Sequence, residues 1–342
     1  MKFKKGAIEI QFNWIFVLII GAVILIIFSS IILKQKGVSE TSKNVLILNN
    51  LDAILSGSET SAGTVNMIRM PETEIEFSCK SYSIGELSKQ IDVMNVFSPK
   101  ILEDSNLISM TLDFSMPYRI INLIYLTEPQ YRYILIGEED NELKNQIIQM
   151  LPDEIFFEEF SDVNDVNYRG EDKTRFVFFD VSVALPPDFF DVPDKDVNAL
   201  RIDGTLESGN IEFFQKEGND FTSSGSQNLG SSNYLGTKTL LGAIISDDKE
   251  IYECSMKDIF EKINIVTDIY KEKTERIKQI YSQENDRCSA FEQTIYSLDH
   301  LNKISLASEE FKSTNIGTMS QAATDLRSQN RQAQLQSCAT IY

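Results

Sequence analysis

Tyr131-Arg132-Tyr133-Ile134-Leu135-Ile136-Gly137, followed by Glu138-Glu139-Asp140 and the run Asn141 to Leu151, sets the expected fold. The first seven residues read as a strand. Leu143, Ile147, Ile148 and Leu151 then repeat at helical spacing, and Pro152 terminates the helix. A strand returns at Glu154 to Phe160, and a more apolar one at Arg175-Phe176-Val177-Phe178-Phe179-Asp180-Val181. Strand, helix, strand, strand predicts an α/β layer with the helix on one sheet face.

A strand ending in glycine before a helix raises the question of a nucleotide site. Such a site needs several glycines so that backbone amides approach the phosphates, and here one glycine is followed by three carboxylates. These repel phosphate and instead suit the positive end of a helix. No Walker lysine pattern occurs anywhere in the chain.

Working outward, Leu107 to Phe114 and Glu72 to Cys79 alternate as strands, and Ile84 to Val93 reads as helical or irregular. Val45 to Leu55 has loosely helical spacing and predicts a stalk helix, broken by Ser56 to Thr64. Toward the C-terminus, Pro186-Pro187 marks a turn. Val197 to Ile211 predicts two strands joined across Asp203-Gly204 or Ser208-Gly209, Thr222 to Tyr234 a loop, and Leu240 to Ile245 and Glu250 to Cys254 further strands.

From Ser255 the pattern changes. Ser255 with Asp258 resembles a capping pair. Met256, Phe260, Ile263, Thr267, Tyr270, Thr274, Ile277 and Tyr281 then recur at spacings of four and three, a heptad-like stripe that needs a helical partner. Arg287 to Phe311 and Thr318 to Gln336 are the candidates. If the three helices run up, down and up, Cys288 and Cys338 meet at one end, and by elimination Cys79 pairs with Cys254. Three pairings of four cysteines are available. A zinc site is disfavoured because no two cysteines are closely spaced.

Near the N-terminus, Ile10 to Leu33 contains no charge between Glu9 and Lys34. As a helix it would reach roughly 36 Å, so a membrane anchor is expected, with the lipid bilayer as partner. Lys2, Lys4 and Lys5 before it and all four cysteines after it predict a cytoplasmic N-terminus and an extracellular C-terminal domain. Lys4-Lys5-Gly6-Ala7-Ile8-Glu9-Ile10-Gln11-Phe12 also resembles the leader of archaeal type IV pilin-like proteins. That resemblance implies cleavage after Gly6, a mature chain beginning at Ala7 and a surface-appendage role. The chain departs from the family pattern at Ala7, Glu9 and Gln11, where Gln, Ser and Glu are usual. Without cleavage the segment is a permanent anchor.

The expected fold class is thus α+β, with a single N-terminal transmembrane helix, an exterior mixed α/β region and a C-terminal helical hairpin or three-helix bundle. The boundaries are a cytoplasmic segment 1–9, the transmembrane helix 10–33, a stalk and linker 34–64, the α/β domain 65–254 and the helical region 255–342.

Formal net charge is −19. Residues 1–43 carry six lysines and two acidic residues, a sum of +4, which leaves −23 for the rest. Such a body repels nucleic-acid phosphates and anionic lipid surfaces, so no nucleic-acid partner is expected. The single His300 excludes a multi-histidine metal site within one chain, and Ser223-Ser224-Gly225-Ser226 lacks the spacing of a serine nucleophile motif. Asp188, Asp191, Asp194 and Asp196 lack the spacing of a calcium loop, and Asp153, Glu154, Glu158 and Glu159 read as ordinary acidic surface. No catalytic, cofactor-binding or metal-ligating set emerges. The expected role is therefore structural or protein-interacting in the cell envelope, through another envelope protein or self-association of the C-terminal helices. A pilin-like subunit and an acidic-residue hydrolase, with two inward carboxylates in the α/β domain, are the alternatives.

Overall fold

The computed structural model describes residues 18–26, 29, 43–57, 61–91, 95–170, 173–223, 230–282, 288 and 290–342. It divides into two compact units, Met1–Leu51 and Asp52–Tyr342. The leader residues Lys4 to Phe12, with Gly6 and Ala7, lie outside the described residues.

The transmembrane helix expected over Ile10 to Leu33 is not part of this architecture. Among the described residues no helix is long and apolar enough to cross a membrane. Residues 18–26 and 29 of that segment are described, and they are helical. The bilayer contact and single-pass topology are inferred from that helix, and no described helix confirms them. Farther along, the helix expected over Val45 to Leu55 forms as α1, residues 43–57.

The larger unit contains three sheets. The first orders β1 (Thr64–Arg69), β7 (Asn106–Ser115), β8 (Arg119–Thr127) and β5 (Asn95–Phe97), antiparallel except for β5 on β8. A small antiparallel sheet orders β4 (Leu87–Gln90), β3 (Ser81–Ile84), β2 (Ile75–Ser78) and β6 (Ile101–Leu102). The part of the segment expected as helical or irregular that runs from Ile84 to Gln90 instead belongs to the β3–β4 hairpin, which turns at Gly85 with φ +60°. None of Leu87 to Gln90 is buried, so no apolar alternation marks β4 in the sequence.

The third sheet carries the strand–helix–strand unit. Its order is β10 (Phe157–Phe160), β9 (Tyr131–Ile136), β11 (Lys173–Phe179), β12 (Val197–Gly204), β13 (Ser208–Glu217) and β14 (Asp220–Ser223), with β15 (Ser231–Leu235) also on β13. The first four are parallel and the rest antiparallel. All of β9 is buried, as a parallel strand covered on both faces requires. Its Tyr133 and Leu135 enter the main apolar core with Val177 and Phe179, whereas Ile134 and Ile136 join Phe176 and Phe178 in a second core on the opposite face. Helix α2 (Glu142–Met150) is capped by Asn141, whose Oδ1 accepts from the Lys144 amide at 2.9 Å, and it ends before Pro152. The β12–β13 hairpin closes between Gly204 and Gly209. A Cβ at Gly204 would lie 2.5 Å from both Gly209 Cα and the Tyr234 hydroxyl, so only glycine fits.

The segments expected as strands at Leu240 to Ile245 and Glu250 to Cys254 are helical: α3 (Gly236–Ile245) and the first turns of α4 (Lys249–Ser282). From Thr239 through Ile245 every residue of α3 is buried, so no amphipathic period exists to betray the helix. Asp248 supplies the N-terminal cap of α4, accepting from the amides of Glu250 (2.7 Å) and Ile251 (3.2 Å). Ser255 lies inside the helix and donates its hydroxyl to Val96 O at 2.7 Å. The expected loop at Thr222 to Tyr234 holds β15 and the end of β14.

Helix α4 packs against α5 (Ala290–Ala307), which packs against α6 (Ser313–Leu335). Reciprocal side-chain amides of Asn264 and Asn302 each donate to the other's backbone carbonyl at 3.1 Å, and Lys271–Asp299 and Lys278–Glu292 pair at 2.7 Å. α4 runs unbroken past residues 254–255. Met256, Phe260 and Ile263 share one apolar core with Leu135, Leu298 and Met319.

Disulfides join Cys79 to Cys254 and Cys288 to Cys338, with Cα separations of 5.6 and 6.0 Å, and no described cysteine is free. Two disulfides point to an oxidising environment outside the cytoplasm.

Candidate functional site

Arginines inside apolar strands are the first local anomaly. Arg132 and Arg175 are both fully buried, which demands partners for each guanidinium. Arg132 donates from Nε to Glu158 at 2.6 Å and from Nη1 to Asn167 O at 2.8 Å, while Arg169 approaches Glu158 from solvent at 2.8 Å. Glu158 therefore neutralises a buried cation, and Asp153, Glu154 and Glu159 are exposed. The structure does not assemble a glycosidase-like pair from these four.

Arg175 is held differently. It donates from Nη1 to Asn198 Oδ1 and from Nη2 to Ala243 O at 2.9 Å, and its guanidinium lies over the Phe213 ring at 5.7 Å. Burial lowers its pKa, opposed chiefly by the nearby Asp247 carboxylate.

Asp247 sits between α3 and α4 and faces a cleft at the amino-terminal ends of β9, β11 and β12. The cleft has two adjoining openings of ≈ 370 and ≈ 490 Å³, which share Glu103, Lys173, Lys195 and Asp196. Residues 100–104 cross it as a strap held by charged groups. Asp247 Oδ1 accepts from the Lys100 amide at 2.7 Å, Lys173 Nζ donates to Ile101 O at 3.1 Å, and Glu128 Oε1 accepts from the amides of Glu103 and Asp104. Tyr131 donates its hydroxyl to Asp247 Oδ2 at 3.2 Å, and Lys173 lies 5.5 Å above the Tyr131 ring. The two inward carboxyls thus latch the small sheet, through β6, onto the α/β layer.

Burial is the leading cause that pushes both the Asp247 and the Glu128 carboxyl above the ordinary range. An acid with a raised folded pKa contributes stability that is complete below the unfolded pKa near 4 and is lost as pH rises through the folded value. The double variant Asp247→Asn, Glu128→Gln keeps an acceptor oxygen at each latch. Its urea-unfolding free energy is expected to fall less steeply between pH 4 and pH 8 than that of the parent. Parallel slopes would contradict the assignment.

The remaining sequence candidates are dispersed. Asp194 is tied to Lys216 Nζ at 2.6 Å, which lowers its pKa, and Asp188 and Asp191 face solvent. Among the described residues no group of three acidic, histidine or cysteine side chains could hold a metal ion. His300 is exposed on α5 and stacks on Tyr296 with ring centroids 6.5 Å apart.

Exposed apolar side chains occur away from the cleft. Within Asp52–Tyr342, five described large apolar side chains are more than half exposed: Met67, Ile269, Ile280, Tyr296 and Leu335, at 53, 60, 61, 75 and 78%. All but Met67 lie on α4, α5 or α6.

Sequence reading missed Glu128, Arg175, Asn198 and Asp247 as a group because they come from four separate segments. The signal available was an arginine in each of two otherwise apolar strands. No family model matches the chain, and no curated protein or solved structure does.

Proposed function

We propose that this is an exported protein that acts by binding another protein through its C-terminal helices, in a structural or interaction role in the cell envelope. The observation that carries this reading is the concentration of exposed Ile269, Ile280, Tyr296 and Leu335 on α4 to α6. Four of the five most exposed large apolar side chains of this unit fall on these three helices, and exposed apolar and aromatic groups gathered on one region favour association. The alternative acidic hydrolase needs two inward carboxylates available to substrate, but Glu128 and Asp247 are engaged as backbone latches.

Photo-crosslinking residues placed at Ile269 and Tyr296 of the full-length chain in its native envelope are expected to give a discrete protein adduct. A probe at the exposed Glu217, on β13, is expected to give none. Adduct mass distinguishes a second copy from another protein. No adduct from the helices, or equal labelling from Glu217, would remove the basis of the proposal. Intact mass of the same preparation separates the pilin-like alternative, with Ala7 first, from a chain retaining residues 1–6.

A further inference from the structure

The cleft at the amino ends of β9, β11 and β12 contains a donor whose direction is imposed by the interior. Arg175 has only N–H groups to offer, so Asn198 must turn its Oδ1 toward it. The Asn198 amide nitrogen is then directed the other way. Asn198 is 8% exposed and lines the ≈ 370 Å³ opening, and Nδ2 has no partner among the described residues.

The charges around it separate into engaged and available groups. Lys216 is bound to Asp194, and Lys173 lies near Glu103 (3.6 Å) and Glu128 (3.8 Å). Lys100 and Lys195 have no ion-pair partner among the described residues and line the same opening, as do Asp196, Asp247 and Asp248. Ammonium donors and an oriented amide therefore share one small space with carboxylates.

That combination discriminates between ligand classes. Asp247 is occupied by the Lys100 amide and Tyr131, and one oxygen of Asp248 caps α4, which leaves Asp196 and the second Asp248 oxygen to face the opening. An anion alone would meet those carboxylate oxygens, a cation alone would meet the lysines and the amide donor, and an apolar molecule would bury all of them without partners. A molecule bearing a carboxylate and an ammonium on neighbouring atoms satisfies both sets. We propose that this cleft binds a free α-amino acid. Its carboxylate contacts Asn198 Nδ2 and a lysine, Lys100 or Lys195, and its ammonium faces Asp196 and the second oxygen of Asp248. The site is independent of the helix surface proposed above.

Titration calorimetry of the full chain with the common α-amino acids, and with their N-acetyl and methyl-ester derivatives, tests this. One or more free amino acids are expected to bind, and blocking either end is expected to weaken binding about tenfold or more, the loss of one charge-assisted hydrogen bond. Asn198→Asp keeps an oxygen partner for Arg175, so the fold retains its buried pair, but it replaces the cleft donor by an acceptor. It is expected to lose affinity at least as strongly. Of Lys100→Ala and Lys195→Ala, both at exposed positions, at least one is expected to weaken binding without changing thermal unfolding in the absence of ligand. The proposal is overturned if no free amino acid binds, if doubly blocked derivatives bind as well as free ones, or if Asn198→Asp leaves affinity unchanged.

Discussion

Replacing Cys79 and Cys254 together by alanine is expected to lower the unfolding free energy by up to about 5 kcal/mol. In the chain-entropy model, a cross-link stabilises by restricting the unfolded chain, in proportion to the logarithm of the loop it closes. The two cysteines are 175 residues apart, so the closed loop takes in nearly the whole α/β layer. The same substitution of Cys288 and Cys338, 50 residues apart, is expected to cost about 4 kcal/mol. The native position of the β2–β3 turn should survive the first change, because Lys80 also pairs with Asp258 at 2.8 Å and its carbonyl accepts from the Ile91 amide at 2.6 Å. Guanidinium unfolding of the two variants without reductant checks the order. A smaller loss for the Cys79–Cys254 variant would show that strain or residual unfolded structure outweighs loop closure.

Gly242→Val is expected to be similarly damaging. A Cβ at Gly242 would sit 2.7 Å from three ring carbons of Phe97. Phe97 is fully buried, with the Tyr125 and Tyr252 rings each 5.7 Å from it, so the ring has no open direction in which to move. Overpacking of this kind costs about 1–3 kcal/mol and occasionally more. For Gly242→Ala roughly 1 kcal/mol of improved helix propensity offsets part of the loss, leaving about 2 kcal/mol. Valine adds bulk without that relief. Trimming the obstacle in a Gly242→Ala, Phe97→Leu double variant should recover stability relative to the sum of the single changes. Strict additivity would show that the ring is not what glycine accommodates.

Parts of the fold were legible because they leave a periodic trace. The capped helix ending at Pro152 and the α4 stripe from Met256 to Tyr281 expose one face and bury another, while the buried strand at Tyr131 and the hairpin expected across Asp203-Gly204 or Ser208-Gly209 are marked by their turn residues. Helix α3 leaves no such trace. Surrounded on all sides, Leu240 to Ile245 has the composition of a buried strand, and only its neighbours decide between the two. The membrane span that composition suggested over Ile10 to Leu33 is not shown: among the described residues no helix is long and apolar enough to cross a membrane.

The sequence by itself determined the α+β class, the order of the central strand–helix–strand unit, the helical C-terminus and an even number of cysteines, because these depend on periodicity and residue type along the chain. Only the tertiary structure decided that α4 joins the α/β layer and the helices into one core, and that Glu128, Arg175, Asn198 and Asp247 lie together at the amino ends of β9, β11 and β12. Their meeting depends on the parallel stacking of β9, β11 and β12, which aligns strand starts far apart in the chain. A buried charge then selects its partners by distance rather than by sequence position.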